Sequence, residues 1–221
     1  MRKNWWKILA ACMVCVSVVA GLVGPVPELH ILNESIRNVY FHVPMWFAML
    51  ILYLVSVIYS IKYLNSNDIK HDIMAVEAVN TGIIFCGFGL LTGMQWANIT
   101  WGEPWPNDPK LNGSAIATLM YLAYLVLRNA LDEEQKRAKI SAVYNIFAFP
   151  IMVVLLYILP KLTDSLHPGS GGNSTFGELD MDNYMRPVFY TAVVGWILTG
   201  IWVSTIRYRL RLLENKANKI Q

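Results

Sequence analysis

Six continuous apolar stretches recur along this 221-residue chain, at 6–25, 43–63, 74–97, 109–128, 141–160 and 187–206. Each is close to the roughly 20 residues of α-helix that cross a hydrocarbon core. Within lipid every backbone N–H and C=O must find its partner inside the protein, so blocks of this kind fold as spanning helices. A transmembrane barrel would instead show short alternating segments. The balance of 55% hydrophobic against 15% charged residues is more than a soluble core of this length absorbs. The fold class is therefore all-α: a polytopic membrane protein with six transmembrane helices and short outer-face loops. The runs leave no room for a soluble domain, so residues 1–221 read as one membrane domain.

Charge orients the helices. With the N-terminus cytoplasmic, the inside segments hold Arg2, Lys3, Lys7, Lys62, Lys70, Arg128, Lys136, Arg137, Lys139, Arg207, Arg209, Arg211, Lys216 and Lys219. The outside segments hold only Arg37, Lys110, Lys161 and Arg186. That asymmetry in short loops is the positive-inside signature and predicts that both termini are cytoplasmic. The net charge of +3 thus reflects topology, and no basic stripe is interleaved with base-stacking aromatics. The first run reads as a retained helix rather than a cleaved leader, because it is long and lacks a small-x-small cleavage site.

The outer ends carry proline punctuation. Pro44, Pro109 and Pro187 each stand where a helix is expected to begin, where a missing N–H costs nothing. Asp108 precedes Pro109 and is expected to cap that helix. Pro150 falls mid-span and predicts a kink.

The chemically unusual residues gather outside. His42 in "YFHVPMW" is expected just before the second helix, and His167 in "SLHPGSGG" just beyond the fifth. Between them in sequence lies "TWGEPWPNDPK", residues 100–110, with Trp101 and Trp105 four apart among glycine and prolines. An aromatic belt explains Trp5, Trp6, Trp46 and Trp202, but not the stiffened Trp-rich loop. Such a loop offers a flat apolar platform, with Gly102 allowing close approach. Two imidazoles flanking a planar platform suit a haem, bound axially through iron. Propionates would need cations, and Arg37 and Arg186 are better placed for bidentate grip than Lys110 or Lys161.

The pieces "FHVP", "LLTGMQWANITWGEPWPNDPKL" and "SLHPG" resemble the Trp-rich-motif, haem-handling membrane proteins of bacterial cytochrome c maturation, and most closely the six-helix haem exporter protein C family. The resemblance spans roughly residues 35–206 in order and spacing. It implies that haem b is a transported ligand held at the periplasmic face of the inner membrane, with His42 and His167 as axial iron ligands. Trp101, Gly102, Trp105 and Asp108 match its Trp-rich signature. It also implies delivery to a membrane-tethered haem chaperone, alongside ATP-binding-cassette transporter subunits and a small membrane subunit. One departure stands out: Asn107 occupies the place of a further family Trp.

Other signals are weaker. Cys12 and Cys15 have redox spacing, but Val16 replaces the His of a c-type haem site and both lie in the first apolar run. Cys86 reads as packing. Glu77, inside the third run, is expected to reach the interface or pair with a basic inner loop. The N-x-S/T triplets at Asn33, Asn98, Asn112 and Asn173 carry meaning only in a eukaryotic secretory route. His71 reads as a loop residue, and His30 as the one substitute ligand. No Walker motif, Ser-His-Asp set or zinc-type Cys/His cluster is present, so the chain reads as a binding and delivery component rather than an enzyme. Two alternatives remain: a synthase component attaching haem to apocytochrome c, and a metal-ion transporter.

Overall fold

The structure, a computed structural model, describes residues 4–28, 32–167 and 181–218. His30, the Asn173 triplet and the terminal cations Arg2, Lys3 and Lys219 lie outside the described residues. The helices are α1 (Trp5–Val23), α2 (Val39–Ser66), α3 (Ile69–Trp101), α4 (Pro109–Asn129), α5 (Glu134–Leu162) and α6 (Met185–Ala217). All six spans are long and apolar enough to cross a membrane. The chain is an all-α, multi-pass membrane protein.

A hairpin of α2 and α3 forms the centre. Asn67 ends α2 in the left-handed conformation at φ 53°, which Asn tolerates better than most residues. Asp68 then caps α3 by accepting from the Lys70 N–H at 3.0 Å. The chain therefore reverses in two residues, and the two helices pack along their length. On one side α6 covers the hairpin and carries α1 on its back; on the other, α5 packs on α2, and α4 on α5 and α3.

The interior is closed by large side chains. Tyr53 of α2 and Tyr121 of α4 stack with ring centroids 3.6 Å apart and planes within 12°. Met49, Leu52, Val79, Phe85 and Met152 fill the space around them. Asn145 of α5 donates to Ser56 at 2.7 Å and Ser60 at 3.0 Å, fastening α5 to α2 inside the bundle. Leu91, Leu119, Val126 and Phe147 face outward, as lipid-facing positions should.

The basic end of the bundle holds two buried ionic clusters. Arg128 of α4 grips Asp72 of α3 bidentately, Nη1 to Oδ1 at 2.7 Å and Nη2 to Oδ2. Glu77 of α3, only 2% exposed, accepts from Arg207 Nε at 2.8 Å, Arg211 Nε at 3.4 Å and Asn80 at 3.3 Å. Glu77 was expected to reach the interface or pair with an inner loop; its charged partners instead sit on α6. That helix continues beyond the apolar run, because its last turns carry arginines that the buried carboxylate can use.

Two helix starts also differ from expectation. A 3₁₀ turn at Asn33–Asn38 runs directly into α2, so Pro44 lies inside that helix and His42 lies within it rather than before it. Pro44 leaves the Tyr40 carbonyl without its helical donor, a defect tolerable near the helix start. Pro109 does open α4, and Pro187 falls in the first turn of α6. Beyond Pro150, α5 widens into a π turn at Val154–Ile158 before closing at Leu159–Leu162. Pro is a usual neighbour of such irregularities, since it removes a helical donor.

Candidate functional site

The end of the bundle opposite the ionic clusters gathers the start of α2, the end of α3, the start of α4 and the segment after α5. His42 projects from the first turns of α2 across the face of α3. Its Nδ1 lies 3.0 Å from the Gly89 carbonyl and 3.2 Å from Thr92 Oγ1. The Thr92 hydroxyl donates to the Phe88 carbonyl at 2.7 Å, so its oxygen is free to accept. Both neighbours thus accept from Nδ1–H, and the lone pair is left on Nε2.

Gly93 makes this close approach possible. A Cβ there would come within 2.7 Å of His42 Cε1. Two indoles flank the ring edge-on: Trp46 at 6.2 Å and Trp96 at 5.9 Å between centroids. The Trp96 Nε1 is buried with no partner among the described residues. The belt reading of Trp46 is therefore replaced by packing beside His42. Neither Trp46 nor Trp96 was singled out as a site residue. The signal was present: His42 and Trp46 are i and i+4, and Gly89, Gly93 and Trp96 share one face of α3. Reading it required knowing that α2 begins before His42.

The Trp-rich segment divides in two. Trp101 is the last residue of α3, which runs past the apolar stretch, and Gly102 ends the helix at φ 85° with its N–H on the Asn98 carbonyl at 3.2 Å. A Cβ at Gly102 would meet no protein atom within 4 Å. The glycine's requirement is the left-handed backbone of a helix C-cap. Trp105 donates from Nε1 to Asn112 Oδ1 at 3.3 Å, and the Asn112 amide donates to Asn107 Oδ1 at 2.8 Å. Asn107 therefore pins the loop to α4, which a Trp at that position could not do in the same way.

Asp108 is the organising residue. Its Oδ1 caps α4, accepting from Lys110 N at 2.9 Å and Leu111 N at 3.2 Å. Its Oδ2 accepts from Ser165 Oγ and Leu166 N, each at 2.7 Å. Oδ1 also receives His167 Nδ1 at 3.0 Å. The His167 Nδ1–H thus points at a buried carboxylate, and Nε2 again keeps the lone pair. Burial alone would raise the Asp108 pKa, but the bonds from His167, Ser165 and Leu166 outweigh it and hold the carboxyl below its usual range. Burial pushes His167 below its ordinary value, partly offset by Asp108. A neutral imidazole, the form that binds metals, is the result at neutral pH.

His167 lies against Trp101, edge to face, with centroids 5.0 Å apart. The two imidazoles are within electrostatic reach of one another, and the Lys110 ammonium is within reach of both. Sequence reasoning had ranked Lys110 behind Arg37 and Arg186. Arg37 is committed elsewhere: Nη1 donates to the Gly21 and Gly24 carbonyls at 3.0 and 2.6 Å, and Nε to Glu34 at 2.6 Å. It ties the 3₁₀ turn to the end of α1. Arg186 stands half-buried in the first turn of α6. Cys12 and Cys15 are exposed on α1, whereas Cys86 is buried and 3.1 Å from Thr118 Oγ1.

Fold and site together define a class: a six-span helical membrane protein with two imidazoles and a Trp-bearing helix end converging at one face. The profile of the family described as Heme exporter protein C matches residues 1–221. The chain belongs to the Heme exporter protein C family. Among relatives, it is 25% identical over 211 residues to Heme exporter protein C of Paracoccus denitrificans, covering 95% of this chain and 86% of that one. Heme exporter protein C of Haemophilus influenzae is 23% identical, with 97% and 86% covered. A shorter match, 33% identical over 87 residues, is to Cytochrome c biogenesis protein CcsA of Prochlorococcus marinus, covering 39% of this chain and 26% of that one.

Proposed function

We propose that this protein binds haem b at the outer, periplasmic face of the bacterial inner membrane and presents it for cytochrome c assembly. The Nε2 atoms of His42 and His167 are the axial ligands. Trp101 and Trp105 flank the ring, Trp46 and Trp96 brace His42, and Lys110 and Arg186 receive the propionates. Arg37, with Nε and Nη1 already bonded, contributes less. The recipient is a membrane-tethered haem chaperone, with ATP-binding-cassette transporter subunits and a small membrane subunit as further partners. Both termini are cytoplasmic.

One observation carries the reading. Both imidazoles have Nδ1 tied to an acceptor inside the protein, which leaves two oriented Nε2 lone pairs at one face. Among the described residues, no group of three or more His, Cys, Asp or Glu converges as a free ion's cage would require. Two nitrogens are a poor site for a bare ion, but they complete an iron whose other four positions belong to a porphyrin. The chain's part is to hold and orient, and delivery rather than catalysis follows from that.

The test is the visible absorption of the purified protein after haem addition, beside His42→Ala, His167→Ala and His30→Ala. A bis-imidazole spectrum lost with His42 or His167 and kept with His30 is expected. Normal haem transfer by the double variant would refute the ligand assignment, and no haem band in any form would favour metal-ion transport. Thioether formation with added apocytochrome c would favour the synthase alternative.

A further inference from the structure

The two imidazoles have different partners, and the difference is chemical rather than positional. His42 gives its Nδ1–H to neutral oxygens, a helix carbonyl at 3.0 Å and a threonine hydroxyl at 3.2 Å. His167 gives its Nδ1–H to a carboxylate at 3.0 Å. That carboxylate, Asp108, is 1% exposed and accepts four further hydrogen bonds, so water cannot dilute its charge. A hydrogen bond to a carboxylate moves electron density onto the far nitrogen of an imidazole and makes it a stronger donor. A stronger donor favours the more highly charged metal. The Lys110 ammonium acts on both imidazoles and opposes this, so the direct hydrogen bond to Asp108 is what sets His167 apart.

Resting on the haem reading above, we propose that Asp108 makes the two axial positions unequal, with His167 the ligand that holds ferric haem in preference to ferrous haem. Asp108 is a positioning residue: it touches the ligand, not the iron. The His42 side contributes little to the preference between oxidation states. The site consequently holds oxidised haem tightly and reduced haem less so, and the asymmetry is built into the carboxylate that also starts α4.

The experiment compares binding of haemin and of dithionite-reduced haem to the full-length protein and to Asp108→Asn. Asparagine keeps one oxygen to cap α4 and accept from His167, while it removes the charge and the oxygen that accepts from Ser165 and Leu166. Ferric affinity should fall about tenfold or more, as for other partners of metal-bound histidines, while ferrous affinity changes less. A tenfold change in that ratio corresponds to a midpoint potential about 59 mV more positive for a one-electron couple. Thr92→Val, which removes a neutral partner from His42, should move the ratio less. An unchanged ferric-to-ferrous ratio in Asp108→Asn, with haem still bound, overturns the proposal and leaves the haem reading intact. Should that variant fail to fold, electron–nuclear double resonance of the unaltered ferric complex decides. Two inequivalent axial nitrogens are expected, and equivalent ones overturn the inference. No haem band in the unaltered protein would instead overturn both.

Discussion

The two ends of the helix bundle bury polar groups in opposite ways. At the basic end Asp72 meets Arg128, and Glu77 meets Arg207 and Arg211, so each carboxylate is matched by guanidinium. At the other end Asp108 is also saturated, yet the imidazole it holds keeps one nitrogen unspent. His42 repeats the pattern with neutral acceptors. Buried polar groups that satisfy one another hold helices together. A group fixed on one side with a lone pair left over can accept a further partner. The contrast separates scaffold from site without reference to position in the sequence.

The contrast breaks first at Arg128. Replacing it with methionine strands the Asp72 carboxylate at 4% exposure. The expected cost is about 3–5 kcal/mol, read as a lower unfolding midpoint in detergent. The Asp72→Leu, Arg128→Met double variant should recover much of that, because an apolar pair leaves no orphan charge. Equal losses in the single and double variants would mean that the pair is not a scaffold element.

Gly93→Ala sharpens the other half of the comparison. The new methyl would meet His42 Cε1 at 2.7 Å, and the tip of the ring can swing aside. Stability should fall by no more than about 1–3 kcal/mol, while the bis-imidazole spectrum is lost. Retention of that spectrum would show that His42 need not lie across α3. A converse result, unfolding with normal ligation in the surviving fraction, would make Gly93 a scaffold residue.

The smallest effect is on pH dependence without haem. Asp108 has a depressed pKa in the folded protein, so its contribution is complete above the ordinary carboxylate value of about 3.9 and fades as pH falls through the lower folded value. Unfolding free energies of the unaltered protein and Asp108→Asn should differ by an amount on the order of 1 kcal/mol from pH 7 down to about 5. The gap should close only in stronger acid. A gap that closes near pH 6.5 would place the dependence on an imidazole instead.

Much of the candidate site was legible in the sequence. Pro109 and Asp108 announce a helix start through chemistry that acts within three residues, and the structure has that cap. Trp101, Trp105, His42 and His167 stood out because their types do not suit a bare outer loop. Arg37 was read as a propionate ligand from its charge and side of the membrane, whereas its carbonyl partners at Gly21 and Gly24 lie 16 and 13 residues away and could not be read along the chain. Trp46 and Trp96 were passed over because their relation to His42 exists only once α2 crosses α3.

The sequence by itself determined six spans, their all-helical character and which residues carry unusual chemistry. Hydrophobic run length and local capping act along the chain and need no fold to be read. Only the tertiary structure decided which nitrogen of each histidine is spent, that a carboxylate backs one imidazole and a carbonyl the other, and that Glu77 answers to α6. Those outcomes depend on distances between helices, and no pattern along a single helix encodes them.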